Sequence, residues 1–148
     1  MKILCSACLL GENCKYNGGN NKHQKLVELQ KDHTLIAVCP EVLGRLSIPR
    51  ESAEIVDGFV RNKNGNSVDK EFRFGAKEAL EIAIKERIDL AILQSRSPSC
   101  GVKQIYDGSF SGKLIEGEGI FAKLLMEHEI PLIDVEDLEK INLKEEKV

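Results

Sequence analysis

Three cysteines lie where the chain leaves a short apolar run. Cys8 ends the segment KILCSAC, Cys39 ends TLIAVC, and Cys100 ends LAILQSRSPSC. Glycine or proline residues lie near each of them, and these residues favour tight, stiff turns that could hold thiolates rigidly. Three thiolates suit zinc, or an iron–sulfur cluster in which one iron lacks a protein ligand. An open position of that kind would let the metal act as a Lewis acid on a substrate.

Two side chains close to these cysteines could handle protons. Glu41 follows Cys39 by two positions and could act as a general base once it is partly desolvated. Ser97 precedes Cys100 by three positions and could hydrogen-bond to a substrate or relay a proton. Each also has a simpler interpretation, because carboxylates favour helix N-termini and serine is a common turn residue. Together the residues predict a metal centre with an adjacent base.

Four short apolar runs predict the strands that would position these side chains. They cover residues 2–7, 35–38, 90–93 and 131–135. Three of the runs are apolar with almost no alternation, which indicates strands that are covered on both faces. The carboxyl ends of parallel strands lie on one edge of an open sheet, and ligands bind at that edge. We therefore expect Cys8, Cys39 and Cys100 to lie close together in space.

Amphipathic segments between the strands predict helices at residues 22–31, 71–87 and 119–128, and a short one at 136–141. The alternation of strands and helices predicts an α/β fold: an open, mostly parallel sheet with helices on both faces, in a Rossmann-like three-layer arrangement. We expect one domain over residues 1–148, with a frayed tail at about 142–148. Asn64-Gly65 predicts a turn or hairpin. The polar, glycine-rich segment 104–119 is interpreted as a loop across the ligand-binding edge.

The composition limits the class of protein. Apolar residues make up 42% of the chain and charged residues 30%, with a net charge of −3, which argues weakly against a general nucleic-acid binder. No window reaches the roughly 18 apolar residues that would indicate a membrane span. Five cysteines without a second CxxC pair favour metal-binding, catalytic or buried thiols in a reducing compartment over disulfides or a zinc ribbon. We expect a cytoplasmic protein.

Four segments, in order, resemble the signature blocks of the thiouracil desulfidase family of bacteria and archaea: SACLLGENCKYNGG, CPEVLGRLSIPR, SRSPSCG and IYDGSFSG. The resemblance extends from Ser6 to about Leu125. It implies a [4Fe-4S] cluster held by Cys8, Cys39 and Cys100, with the fourth iron free to bind the sulfur of a substrate. The residues at the positions that look catalytic in the family are Glu41 and Ser97.

The resemblance also implies the reaction, a non-redox desulfidation of a thiolated pyrimidine. Water would attack the ring carbon of 2-thiouracil, with Glu41 as the base and Ser97 assisting, to give uracil and hydrosulfide. Candidate substrate contacts are Tyr16, Gly18, Ser99 and Tyr106. Differences from the usual family pattern, such as Gln94 and Arg45, leave open whether the substrate is a base, a nucleoside or tRNA. The absence of a second domain favours a free base or nucleoside over tRNA.

Other interpretations remain open from the residues alone. Cys14 could be a fourth ligand, which would give a non-catalytic binding module stabilised by zinc or by a closed iron–sulfur cluster. Cys100 could instead be the nucleophile of a sulfur-transfer protein that acts through a persulfide. The three cysteines could also be small buried residues, which is the interpretation we favour for Cys5. The oligomeric state is not predicted.

Overall fold

The computed structural model describes residues 1–140, and its strands form one parallel sheet and two hairpins. The strands are β1 (Lys2–Ser6), β2 (Thr34–Val38), β3 (Ala53–Val56), β4 (Phe59–Asn62), β5 (Leu90–Leu93), β6 (Gln104–Tyr106), β7 (Leu114–Glu116) and β8 (Leu132–Asp134). The central sheet has the order β2-β1-β5-β8, and all three of its pairings are parallel. The four strands predicted from apolar runs are the four strands of this sheet.

Helices connect the strands of the sheet. They are α1 (Gln24–Glu28), α2 (Pro40–Leu43), α3 (Asp69–Glu86) and α4 (Ile120–Glu127), with 3-10 segments at Ala7–Leu10, Leu29–Lys31 and Val135–Lys140. The predicted helices at 71–87 and 119–128 are confirmed. The one predicted at 22–31 is shorter, because its second half tightens into a 3-10 turn. The helix predicted at 136–141 is a 3-10 segment as far as Lys140; Ile141 and the predicted tail lie outside the described residues.

Both faces of the sheet are covered, as the apolar strand sequences predicted. Ile3 and Cys5 of β1 face one side, where α1 and the segment Val135–Lys140 supply Leu26 and Leu138 to the core. Leu4 points to the opposite side, and there α3 and α4 pack against the sheet. The result is the expected three-layer α/β arrangement. None of the helices within residues 1–140 is both long and apolar enough to cross a membrane.

Two antiparallel hairpins lie beside the sheet, and one of them corrects a prediction. The predicted turn at Asn64-Gly65 is confirmed, since the Gly65 amide donates to the Asn62 carbonyl at 2.9 Å; the turn of the β3–β4 hairpin is at Asp57-Gly58. Both Asp57 and Gly58 have positive φ, the conformation that a two-residue type I′ turn needs. Segment 104–119 contains the β6–β7 hairpin, whereas its polar, glycine-rich sequence predicts a loop. All three residues of β7 are exposed, so this strand carries no buried face that the sequence pattern could reveal.

The short helix α2 is held very close to the long helix α3. A Cβ atom on Gly75 would overlap the carbonyl oxygen of Pro40, and one on Gly44 would overlap the carbonyl oxygen of Glu71. The two glycines therefore allow a backbone approach that no larger residue would permit. Because Glu41 follows Pro40, this packing fixes the base of its side chain against a rigid element of the fold.

Candidate active site

A pocket of about 640 Å³ opens at the carboxyl ends of β1, β2 and β5. Its lining contains four cysteines: Cys8, Cys14, Cys39 and Cys100. Three of these are the residues that the strand-end pattern singled out, and the fold brings them to one edge because their strands are neighbours and parallel. All five cysteines are free thiols, and Cys5 lies in the core, where the sequence placed it.

The three cysteines at the strand ends are each held by a different local structure. Cys8 is in the 3-10 turn that follows β1, and Cys39 is the residue before the first turn of α2. Cys100 is in a turn closed by a hydrogen bond of 2.9 Å from the Gly101 amide to the Ser97 carbonyl. The amide of Asn21 approaches the Cys8 sulfur at 3.8 Å. The positions of these three cysteines are thus set by backbone turns.

The environment of Cys14, Cys39 and Cys100 keeps these three thiols protonated in the absence of metal. Burial raises the pKa of Cys100 to about 12. The hydrogen bond with Cys14 and burial raise the pKa of Cys39 far above its ordinary value. The bond from Cys39 lowers the pKa of Cys14, but the bond with Cys8 and burial outweigh it and raise that pKa to about 11. Metal ligands are thiolates, so loading this site would release protons.

Among residues 1–140, the structure shows no group of three or more histidine, cysteine or acidic side chains that could hold a single metal ion. The three strand-end cysteines at the pocket nevertheless offer donors that suit an iron–sulfur cluster. Soft thiolates without imidazole are the ligands that such clusters take. Cys8, Cys39 and Cys100, on three separate turns around one pocket, match this requirement.

Glu41 lies beside the cysteines with its carboxylate held at both oxygens. Its side chain is 17% exposed. Oε1 accepts hydrogen bonds from Arg50 Nε at 3.2 Å and Nη2 at 3.0 Å, and Oε2 accepts one from Ser99 Oγ at 2.8 Å. Arg50 therefore holds Oε1, and Oε2 remains as the oxygen that could accept a proton.

Ser97 and Ser99 have different roles in the turn before Cys100. Ser97 Oγ accepts hydrogen bonds from the backbone amides of Ser99 at 3.1 Å and Cys100 at 3.0 Å, so it shapes the turn that carries this cysteine. The two hydroxyl groups are 2.9 Å apart. Ser99 therefore lies between Glu41 and Ser97, and the three side chains form one continuous hydrogen-bonded chain. Ser97 does not contact Glu41 directly.

Three of the four candidate substrate contacts line the pocket. They are Tyr16, Ser99 and Tyr106. Gly18 is not among the lining residues; it has a φ of 80° and forms the turn after Tyr16, with its amide donating to the Lys15 carbonyl at 2.9 Å. Tyr106 comes from the β6–β7 hairpin, so this hairpin forms part of the pocket wall.

Sequence reasoning missed two residues of the site. Arg50 lines the pocket with a side chain only 9% exposed, although arginine is normally a surface residue. It belongs to the segment CPEVLGRLSIPR, which was the only sequence signal that pointed to it. Ser6 is buried at the end of β1, where its hydroxyl accepts a 2.9 Å hydrogen bond from the Gln94 amide and also bonds to Cys100.

Known proteins resemble this chain both in sequence and in fold. A family model described as 2-thiouracil desulfurase matches residues 3–137. The chain is 36% identical over 149 residues to the uncharacterized protein YbbK of Bacillus subtilis (strain 168), over 94% of this chain and 99% of that protein. It also resembles a solved structure described as the [4Fe-4S]-dependent thiouracil desulfidase TudS. The two share 37% sequence identity and a TM-score of 0.92, over 99% of each chain.

Proposed function

The chain belongs to the 2-thiouracil desulfurase family, and on that premise we propose that it is a [4Fe-4S]-dependent desulfidase. It removes sulfur from a thiolated pyrimidine such as 2-thiouracil and gives the oxo compound and hydrosulfide. The observation that carries the proposal is the presence of Cys8, Cys39, Cys100 and Glu41 in the lining of one pocket. The solved structure of similar fold supports it, because that protein is described as dependent on the same cluster.

Cys8, Cys39 and Cys100 would hold the cluster. When bound, it supplies an iron without a protein ligand, a soft Lewis acid suited to a thiocarbonyl sulfur. Glu41 then takes a proton at Oε2 from the water that attacks the ring carbon. The hydroxyl of Ser99 donates to the same oxygen, and Ser97 continues the hydrogen-bonded chain. The oxygen of water replaces the sulfur on the ring carbon. The sulfur leaves with one proton of that water as hydrosulfide, and the second proton is released to solvent.

The pocket favours a small substrate. Its volume of about 640 Å³ falls within the range of sites for small molecules, roughly 300–1,000 Å³. Tyr106 and Tyr16 line its wall and can contact the faces or edges of a flat ring. We propose a thiolated base or nucleoside as the substrate and keep thiolated tRNA as the less favoured alternative. A cytoplasmic location and a single domain over residues 1–148 remain predictions.

The first test is a count of metal and sulfide in protein purified without oxygen. We expect a brown protein with a visible absorption band, about four irons and four sulfides per chain, and conversion of 2-thiouracil to uracil. The measurements are the absorption spectrum, elemental analysis that includes zinc, and chromatography of the pyrimidine. A colourless protein that carries zinc after anaerobic reconstitution would contradict the proposal.

A second candidate function follows from the position of Cys14. It lines the same pocket as Cys8 and Cys39, and the Cys39 thiol lies 3.9 Å from its carbonyl oxygen, so it is placed to compete as a fourth ligand. A site closed by four cysteines would leave no open position for a substrate, and the protein would then be a metal-stabilised binding module.

Replacing Cys14 with serine separates the two candidates, because serine has a similar shape and is a poor ligand for iron. If the protein is a desulfidase with three ligands, Cys14→Ser should keep its iron, its sulfide and most of its turnover. Loss of the metal would favour the closed module. The matched control is wild-type protein reconstituted in parallel, with iron and sulfide counted per chain in both.

The persulfide alternative receives less support from the geometry. Cys100 is only 4% exposed, and burial raises its pKa to about 12. A protonated, buried thiol is a poor nucleophile, whereas sulfur-transfer cysteines are accessible and ionise readily. Activity that survives removal of all metal would reinstate this alternative.

A further inference from the structure

Arg50 is a nearly buried charged side chain in the wall of the pocket, and the proposed reaction gives it no role. Its side chain is 9% exposed, less than that of Glu41 with which it pairs. Arginine is almost never buried to this extent unless it is paired, because a desolvated guanidinium is costly. The burial therefore indicates that its partners hold it in one position.

The guanidinium of Arg50 contacts three different parts of the site. Nε and Nη2 both donate to Glu41 Oε1. Nη2 also donates to the Cys14 carbonyl at 2.9 Å, and Nη1 donates to the Ser47 carbonyl at 3.1 Å. The backbone amide of Arg50 adds a bond of 2.7 Å to the Tyr16 carbonyl. The arginine is thus fixed by the loop of Cys14, by the turn after α2 and by the carboxylate together.

These contacts determine how the carboxylate of Glu41 is oriented. A free carboxylate can rotate and exchange its two oxygens, but here two N–H groups converge on Oε1 alone. Oε2 is left to Ser99 and the pocket. Hydrogen bonds between ionised partners are about twice as strong as neutral ones, so this orientation persists. A lysine ammonium cannot reproduce it, because it lacks the planar fork that reaches the carboxylate and two carbonyl oxygens at once.

We propose that Arg50 is a positioning residue that anchors Oε1 of Glu41 and so assigns Oε2 as the oxygen that accepts the proton in desulfidation. The proposal rests on the proposed function, because it gives Arg50 a role in the same reaction. It concerns the rate of the chemical step and not the affinity for the substrate, since Arg50 acts through Glu41.

The test uses the complete, cluster-loaded protein with Arg50→Gln, Arg50→Lys and Arg73→Gln. Arg73 is the matched control, because its Nε also pairs side-on with a carboxylate, that of Asp69 at 2.7 Å, but it does not line the pocket. We expect Arg50→Gln to lower kcat for 2-thiouracil by about 100-fold, the size of effect that a small misplacement of a reacting group produces. Arg50→Lys should recover part of this loss, with iron, sulfide and KM unchanged in both.

Crystal structures of the two Arg50 variants give the second readout, which does not depend on turnover. The expected result is a Glu41 carboxylate that has rotated away from Ser99 in Arg50→Gln. The proposal would be overturned if Arg50→Gln had the kcat of wild-type protein, or if its Glu41 carboxylate had not moved. Loss of iron from both Arg50 variants would also overturn it, because Arg50 would then support the loops that carry the cysteines. Cluster-loaded wild-type protein that does not desulfidate 2-thiouracil would sink the proposed function, and the crystal structures would still decide whether Arg50 orients Glu41.

Discussion

Glu41→Gln is expected to keep the iron–sulfur cluster and lose turnover, with kcat lower by about 10²- to 10⁴-fold, the usual contribution of a general base. Glutamine has the size of glutamate, and its amide oxygen can still accept the hydrogen bonds of Arg50 or of Ser99. It cannot take a proton from water at neutral pH. The substitution therefore removes the proton transfer and preserves the shape of the pocket lining.

Stability has to be measured beside turnover for this variant, because Glu41 and Arg50 are both largely buried. Removing one partner of a buried ion pair costs up to about 3–5 kcal/mol, although a retained hydrogen-bond acceptor reduces the penalty. Activity should be assayed well below the unfolding temperature, with iron and sulfide counted in the same sample. Glu86→Gln is the matched control, since Glu86 pairs with Lys2 at 3.9 Å on the exposed surface. Full activity of Glu41→Gln would remove the base assignment.

The strands and the edge at which they end were predictable because both follow from a short-range rule. Apolar runs without alternation predict buried parallel strands, and parallel strands must end at one edge. Cys8 and Cys39 follow β1 and β2 closely, so this rule places both of them at the edge. Cys100 comes later, after β5 has ended, and the turn closed between Ser97 and Gly101 brings it to the same pocket. The β6–β7 hairpin obeys no such rule, because β7 has no buried side chain and its pairing depends on the rest of the fold.

The contacts within the site could not be read from the sequence, because they join residues far apart in the chain. Ser97 and Ser99 are equally polar and lie in the same turn, so composition cannot tell which one faces Glu41, 58 positions before Ser99. Only the path of the turn decides that Ser97 binds backbone amides and Ser99 reaches the carboxylate. The same reason hid Arg50, whose guanidinium donates to the Cys14 carbonyl, 36 positions away in the chain.

Cys100→Ser is expected to prevent assembly of the cluster, and Cys5→Ser is expected to leave it intact. The two cysteines form a matched pair, since burial raises the pKa of each to about 12. They differ in position: Cys100 lines the pocket, whereas Cys5 points into the core beneath the sheet. Serine is a poor ligand for iron, so only the substitution in the pocket should abolish the visible absorption, the bound iron and sulfide, and the turnover.

The stability of the two variants separates a lost ligand from a folding defect. A buried hydroxyl without a good partner costs about 1–3 kcal/mol, so Cys5→Ser should unfold at a lower temperature and yet bind its full complement of iron. Cys100→Ser has hydroxyl partners close by, because Ser6 and Ser99 already contact that side chain, and its metal-free form should lose less stability. When both variants are compared in their metal-free forms, the more stable one is therefore expected to be the one that cannot assemble the cluster. Iron retained in Cys100→Ser would instead assign the third ligand to Cys14, which lines the same pocket as Cys8 and Cys39.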